Sequence, residues 1–177
     1  NQMNLKNQKN QKNQKNQKNQ KIKGIIMYHF GKTSTKRLLT CHEDIQTILK
    51  EVIKIYDVSV LEGLRSTERQ QHLFKQGKSK LDGINILSKH QGKLDKKGNK
   101  VSFAVDIIPY KKGHNAFSGK IKDGDRFYFM MGIVRGISER LFNEGKITHK
   151  VRFGLDWDSD DILDDQNFDD LPHMELI

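Results

Sequence analysis

Apolar positions along this chain fall into two long helical stripes and four short strand-like runs. Between 40 and 57, Ile45, Ile48, Leu49, Val52, Ile53 and Tyr56 recur every three or four residues and so share one helical face. Thr40 and Glu43 precede that stripe at the spacing of a capping box. Phe127, Met130, Met131, Val134, Ile137 and Leu141 form the second stripe, which predicts a helix over 124–144 stopped by Gly145. The methionine pair in it reads as packing. A shorter helix starts at Ser66 or Thr67 and runs to Gly77. "VSVLEG" (58–63) predicts a strand, and "SFAVDIIPY" (102–110) alternates, with Phe103, Val105 and Ile107 on one side and Ala104, Asp106 and Ile108 on the other. "KVRFGLDW" and "HMELI" supply two more strands, and residues 78–100 have loop composition. Helices mixed with short strands at hairpin-like spacing predict an α+β fold, a small antiparallel sheet with flanking helices, rather than a doubly wound sheet.

Composition divides the chain. Residues 1–23 are an Asn-Gln-Lys repeat with seven lysines and no acid. A segment that buries so little cannot offset its ordering entropy, so a disordered tail over 1–23 and a folded domain over 24–177 are expected. The formal charge of +10 falls to +3 once those lysines are set aside, 25 basic against 22 acidic residues. The folded part is therefore only mildly basic, and no specific nucleic-acid partner is expected; the tail is a solvated segment able to adhere weakly to polyanions, including those of a cell wall. Cys41 is the sole cysteine, which excludes an internal disulfide and a Cys-based zinc site and fits intracellular synthesis. No apolar run is long enough for a membrane span, and the N-terminus lacks the charged-then-apolar order of a signal peptide.

Three residues break the apolar pattern. His90, Asp106 and His173 border or interrupt apolar strands, where a bare charge or imidazole is costly unless paired or metal-bound. Two imidazoles and a carboxylate make an open shell for one zinc ion, and Asp170, in the turn before the last strand, is the candidate base. Pro172 biases Leu171 toward the extended conformation; His173 and Glu175 then share a face above Met174 and Leu176, so Glu175 is either a partner that orients a ligand or a plain salt-bridge residue. In the acidic run "DWDSDDILDDQNFDD", Asp156, Asp158 and Asp160 have the alternate spacing of a calcium loop. Asp161 and Asn167, however, replace the glycine and glutamate an EF-hand needs. A solvated acidic loop is the expectation there and Ca²⁺ binding the alternative. Trp157 beside it packs or lines the cleft.

"LEGLRSTERQQHLFKQGKSK", "SKHQ…SFAVDIIPY" and "GLDWD…DLPHMEL", in that order over residues 58–177, resemble the zinc D-Ala-D-Ala carboxypeptidase and L-alanyl-D-glutamate endopeptidase family, peptidase family M15, in its phage endolysin branch. The resemblance implies a hedgehog-like zinc peptidase fold, with His90, Asp106 and His173 as zinc ligands and Asp170 as general base. It implies Arg65 as the substrate-binding, oxyanion-steadying cation, with Ser88 and Gln70 at substrate or at the Arg65 loop. It further implies a monomer that hydrolyses the L-Ala–D-Glu bond of peptidoglycan stem peptides. Such an enzyme is made in the host cytoplasm and reaches the wall through a membrane lesion, without inserting in the membrane. A D-Ala-D-Ala carboxypeptidase and a non-catalytic metal- or wall-binding module are the alternatives. One departure stands out: the family places its first histidine seven residues before the aspartate, whereas position 99 is Asn and His90 lies sixteen before Asp106. An inserted loop, "KLDKKGNK", accounts for this; otherwise His72, His114 or His149 must replace His90.

Overall fold

The computed structural model describes residues 28–165 and 167–177. The repeat at 1–23 lies outside the described residues. Helices α1 (Lys32–Leu38) and α2 (Glu43–Val52) lead into strand β1 (Val58–Glu62) and helix α3 (Thr67–Lys75). A 3-10 turn (Lys89–Gln91) follows, then β2 (Lys93–Leu94), β3 (Lys100–Val101), β4 (Ala104–Pro109), helix α4 (Ile121–Asn143), β5 (Val151–Phe153) and β6 (His173–Leu176). Four strands form an antiparallel sheet in the order β1-β4-β6-β5, and β2 pairs with β3 as a separate hairpin. The expected α+β class is what forms. The main sheet, however, is not assembled from hairpins: only β5 and β6 are consecutive in sequence, and a long loop joins them.

The amphipathic stripes do what their spacing requires. Ile45, Ile48, Leu49 and Val52 of α2 meet Phe127, Met130, Val134 and Leu141 of α4, and both rows are closed off from water. Val58 and Val60, Val105 and Ile107, and Met174 and Leu176 supply the sheet face beneath them. Each of these side chains removes roughly 1.5–3 kcal/mol worth of apolar surface from water, so this layer is the main source of stability. The opposite sheet face carries the polar residues of β4 and β6.

Two local expectations are corrected. Thr40 does not cap α2: its hydroxyl donates to the Arg37 carbonyl (2.6 Å) and accepts from the Leu64 amide (2.8 Å). His42 caps instead, its Nδ1 accepting from the Asp44 amide at 3.2 Å. Helix α1 has no counterpart in the apolar pattern, because its buried residues are Ser34 and Leu38 alone. Ser34 is held inside by accepting a hydrogen bond from the Val60 amide at 3.1 Å. Elsewhere the local chemistry matches: Ser66 caps α3 by accepting from the Arg69 amide, and Gly77 and Gly145 end helices at φ of 69° and 67°.

Candidate metal centre

Register builds the centre. Antiparallel pairing sets Asp106 of β4 directly opposite His173 of β6, with Ala104 opposite Glu175, so three polar side chains rise from one sheet face. A bulge in β1 between Val60 and Glu62 brings Glu62 opposite Asp106. Without it Leu61 would hold that position, so the bulge re-aims an acid toward the site. His90 arrives from the 3-10 turn, where the Ser88 hydroxyl accepts from the His90 amide (3.2 Å) and Gln91 Oε1 accepts from the Ser88 amide (3.0 Å).

His90 Nε2, Asp106 Oδ1 and His173 Nδ1 converge: 3.1 Å from His90 to Asp106, 3.2 Å from His173 to Asp106, and 3.3 Å between the two imidazole nitrogens. The outer nitrogens decide what these contacts mean. His90 Nδ1 lies 2.8 Å from the Gly63 carbonyl, and His173 Nε2 lies 3.3 Å from Glu175 Oε2. Both partners can only accept, so both outer nitrogens carry the proton and both inner ones present lone pairs. Three lone-pair atoms facing one another at this range repel unless a positive charge sits among them. The donor set, two neutral imidazoles and one carboxylate with their far sides anchored, suits a divalent cation.

The charge balance points the same way. Where protons rather than a cation supply that positive charge, burial still works to raise the Asp106 carboxyl, but the charge of His90 and hydrogen bonds from both imidazoles hold it well below the usual carboxylate range. Burial would lower His173, yet hydrogen bonds to Asp106 and Glu175 and the charges of Asp106 and Asp170 outweigh it and push it up to about 9. The centre is thus shaped to take up positive charge. Glu175 falls to about 2 despite burial, through His173 and Arg152. Arg152 Nε donates to its Oε1 at 3.0 Å, a second Arg152 nitrogen joins it, and Lys89 Nζ stands 3.4 Å away. Glu175 is therefore a buried partner that orients the His173 ring rather than a plain surface ion pair.

Asp170 occupies the turn expected for it, its carbonyl accepting from the His173 amide at 2.9 Å. It lines the same cleft, and burial together with the charge of Asp106 raises its carboxyl, against the opposing pull of His173, His90 and Arg65. A half-buried carboxyl moved toward neutrality is suited to taking and returning a proton.

Arg65 differs from the free cation expected. Its side chain is 8 % exposed, and its terminal nitrogens donate to Gln70 Oε1 (2.8 Å), Glu62 Oε2 (2.6 Å) and Asp106 Oδ2 (3.2 Å). The guanidinium thereby fixes the second oxygen of Asp106 and leaves the first for the centre. Gln70, wholly buried, spends its amide nitrogen on Ser79 Oγ (2.8 Å) and the Leu81 carbonyl (2.7 Å). It holds the Arg65 loop and does not reach the cleft surface. Ser88 lines the cleft while capping the His90 turn.

The sixteen-residue interval is accounted for by the β2–β3 hairpin, which leaves between His90 and β4; at its base the Phe103 amide returns to the Lys89 carbonyl at 3.0 Å. None of the substitutes joins the centre. His72 contacts Gln76, His114 faces Asp123 at 3.7 Å, and His149 packs on Asp44. The His42, Asp44 and His149 group has metal-like proximity but ordinary hydrogen bonding. Asp44 Oδ2 accepts from the Thr148 amide and hydroxyl and from the His149 amide and Nδ1, at 2.7–3.1 Å. Donors meet acceptors there, so no cation is called for. Asp156, Asp158 and Asp160 do come together, with Asp156 buried, but Arg135 already faces Asp156 at 3.9 Å and pairs with Asp161.

Sequence reasoning gave no role to the Gly63 carbonyl, Glu62 or Arg152, and left Trp157 between packing and cleft. The indole packs 5.3 Å from the His173 ring and donates to the Phe168 carbonyl at 2.7 Å, tying the acidic loop to the centre. The only advance signal for Glu62 and Gly63 was their adjacency to "LRS". The cleft over the centre has a volume of about 1490 Å³ and is walled by residues 78–81, Leu87, Phe117, Trp157 and Phe168.

The phage L-alanyl-D-glutamate peptidase family model matches residues 26–177. The L-alanyl-D-glutamate peptidase of Escherichia phage T5 is 27% identical over 155 residues, 85% of this chain and 98% of that one. The Serratia marcescens L-Ala D-Glu endopeptidase ChiX superposes with a TM-score of 0.59 at 20% identity, over 87% of this chain and 94% of its own, a likeness of fold. With its match extending across the strands and turns that carry His90, Asp106, Asp170 and His173, the chain belongs to the phage L-alanyl-D-glutamate peptidase family.

Proposed function

We propose that this chain is a zinc peptidase that cuts the L-Ala–D-Glu bond of peptidoglycan stem peptides as a phage endolysin. The observation that carries the reading is the convergence of His90 Nε2, Asp106 Oδ1 and His173 Nδ1 with both outer imidazole nitrogens tethered. His90, Asp106 and His173 would hold one zinc ion, whose Lewis acidity polarises the scissile carbonyl and acidifies a water. Asp170 accepts the proton of the attacking water and returns it to the leaving amine of D-glutamate. Arg65 keeps the Asp106 carboxylate oriented and adds fixed positive charge beneath the carbonyl oxygen as it becomes anionic. Trp157 and Phe168 shield the opposite wall from bulk water, which strengthens these charge effects. Delivery to the wall follows breach of the host membrane by another agent.

The test is digestion of purified sacculi with wild type and Asp170→Ala, with metal content measured on both. New D-Glu amino termini from wild type, lost in a variant that still carries one zinc, support the assignment. Release of D-Ala would redirect it to a carboxypeptidase. A zinc-loaded wild type that cleaves nothing would leave a binding module.

A further inference from the structure

The cleft is rich in cations, but most are committed. Arg65 is engaged as described, Arg152 and Lys89 serve Glu175, Arg69 faces Glu62 at 3.4 Å, and Arg37 donates to the Val60 carbonyl at 3.0 Å. Among the described residues lining the cleft, Lys36, Lys78 and Lys80 have no carboxylate partner. Two of the three stand together. Lys78 and Lys80 flank Ser79, and the Ser79 hydroxyl and Leu81 carbonyl are the groups that Gln70 grips while its oxygen holds Arg65. One buried amide therefore sets both the guanidinium under Asp106 and the segment bearing the two lysines. From that segment Lys80 Nζ reaches across to lie 5.7 Å above the Phe168 ring, two residues before Asp170. Lys80 thus bridges the Arg65 wall and the Asp170 wall of the cleft, and the ring leaves the ammonium's remaining donors free for an anion.

The chemistry of the substrate class supplies such an anion. D-Glutamate has two carboxyl groups and only one can continue a peptide, so the residue that donates the scissile amine also carries a free carboxylate or its amide. Resting on the proposed reaction, we propose that Lys80, with Lys78 beside it, forms the subsite for that free carboxylate, making the enzyme selective for D-glutamate over D-isoglutamine stems.

Two peptides differing only in that carboxylate or carboxamide test it, assayed with wild type, Lys80→Gln, the Lys78→Gln/Lys80→Gln double variant, Lys36→Gln, and Lys112→Gln as a charge control outside the cleft. Equilibrium binding is followed in parallel through Trp157, the chain's single tryptophan and a cleft residue. Wild type should favour the carboxylate peptide about tenfold, through KM, the scale of one charge-assisted hydrogen bond. The double variant should bring the two peptides within about twofold of each other, Lys80→Gln should fall between, and Lys112→Gln should retain the preference. A preference kept by the double variant, absent from wild type, or abolished by Lys36→Gln instead would overturn the subsite. If wild type cleaves neither peptide, the proposed reaction fails, and the binding comparison still decides the subsite by the same criteria.

Discussion

Gly154 lies where β5 leaves the sheet, sandwiched against the turn that carries both the candidate proton acceptor and a candidate ligand. Its amide donates to the His173 carbonyl at 2.9 Å and its carbonyl accepts from the Asp170 amide at 2.7 Å. A Cβ at this position would stand 2.5 Å from the Asp170 carbonyl oxygen and 2.9 Å from the Cβ atoms of Asp170 and His173. Those contacts are roughly 1 Å inside normal van der Waals separation. No flexible side-chain end is among them, so Gly154→Ala must push the whole turn away from β5. Overpacking of that kind costs about 2 kcal/mol, a drop in Tm of roughly 4–8 °C for a domain of this size. Activity should suffer more, because displacing Asp170 and His173 together by about 1 Å is a loss on the order of a hundredfold in kcat. Thermal unfolding and stem-peptide hydrolysis, measured on zinc-loaded protein, give the two numbers. A variant that melts within 1 °C (about 0.3 kcal/mol) of wild type and hydrolyses at its rate would show that the close approach imposes nothing.

Gly132 and Gly136 make the opposite case: a Cβ on either meets nothing within 4 Å in α4, so each change to Ala should stabilise by about 1 kcal/mol in urea denaturation, and a loss of stability would refute it. Glu175→Gln should weaken zinc binding by about 10–100-fold in chelator competition, through the orientation of His173, and unchanged affinity would remove it from that role. Asp44 is held below its ordinary value: burial raises it, but hydrogen bonds from His149 and Thr148 outweigh that. Its contribution is therefore complete above the unfolded carboxylate value of about 4 and fades as pH falls through the lower folded one. The stability gap between wild type and Asp44→Asn, about 2 kcal/mol near neutrality, should shrink between pH 6 and pH 3, and a gap independent of pH would sink the argument. Burial pushes the Cys41 thiol up to about 12 and closes it off completely, so a thiol reagent should label it only on unfolding; labelling at the rate of a small free thiol would contradict that.

The candidate ligand set was legible because polar residues in apolar strands are expensive, and Asp106, His173 and Glu175 each announce themselves by parity with the core residues between them. His90 was harder to place: its distance from Asp106 along the chain departs from the family pattern, and only the return of Phe103 to Lys89 shows that a hairpin absorbs the excess. Helix α1 was invisible because it is anchored by the Ser34 hydroxyl and one leucine, which leave no periodic signal. Thr40 met the capping rule locally but is taken by a partner 24 residues away, and nothing local to Arg65 signals that a bulge in the preceding strand turns Glu62 onto its guanidinium. Long-range pairing of this sort is set by tertiary structure, which no local window contains.

The β2–β3 hairpin ends in a self-contained tip: Asp95 Oδ1 accepts from the Lys97 and Asn99 amides, both at 2.8 Å, and Gly98 completes the reversal at φ 80°. At the other end, Gly92 fits so tightly under the Val101 carbonyl that a Cβ would stand 2.5 Å from it. A rigid collar and an independent apex make this protrusion a natural splice point. A guest sequence exchanged for residues 95–99, an epitope or a wall-targeting module, would ride outside the catalytic apparatus and leave its alignment intact.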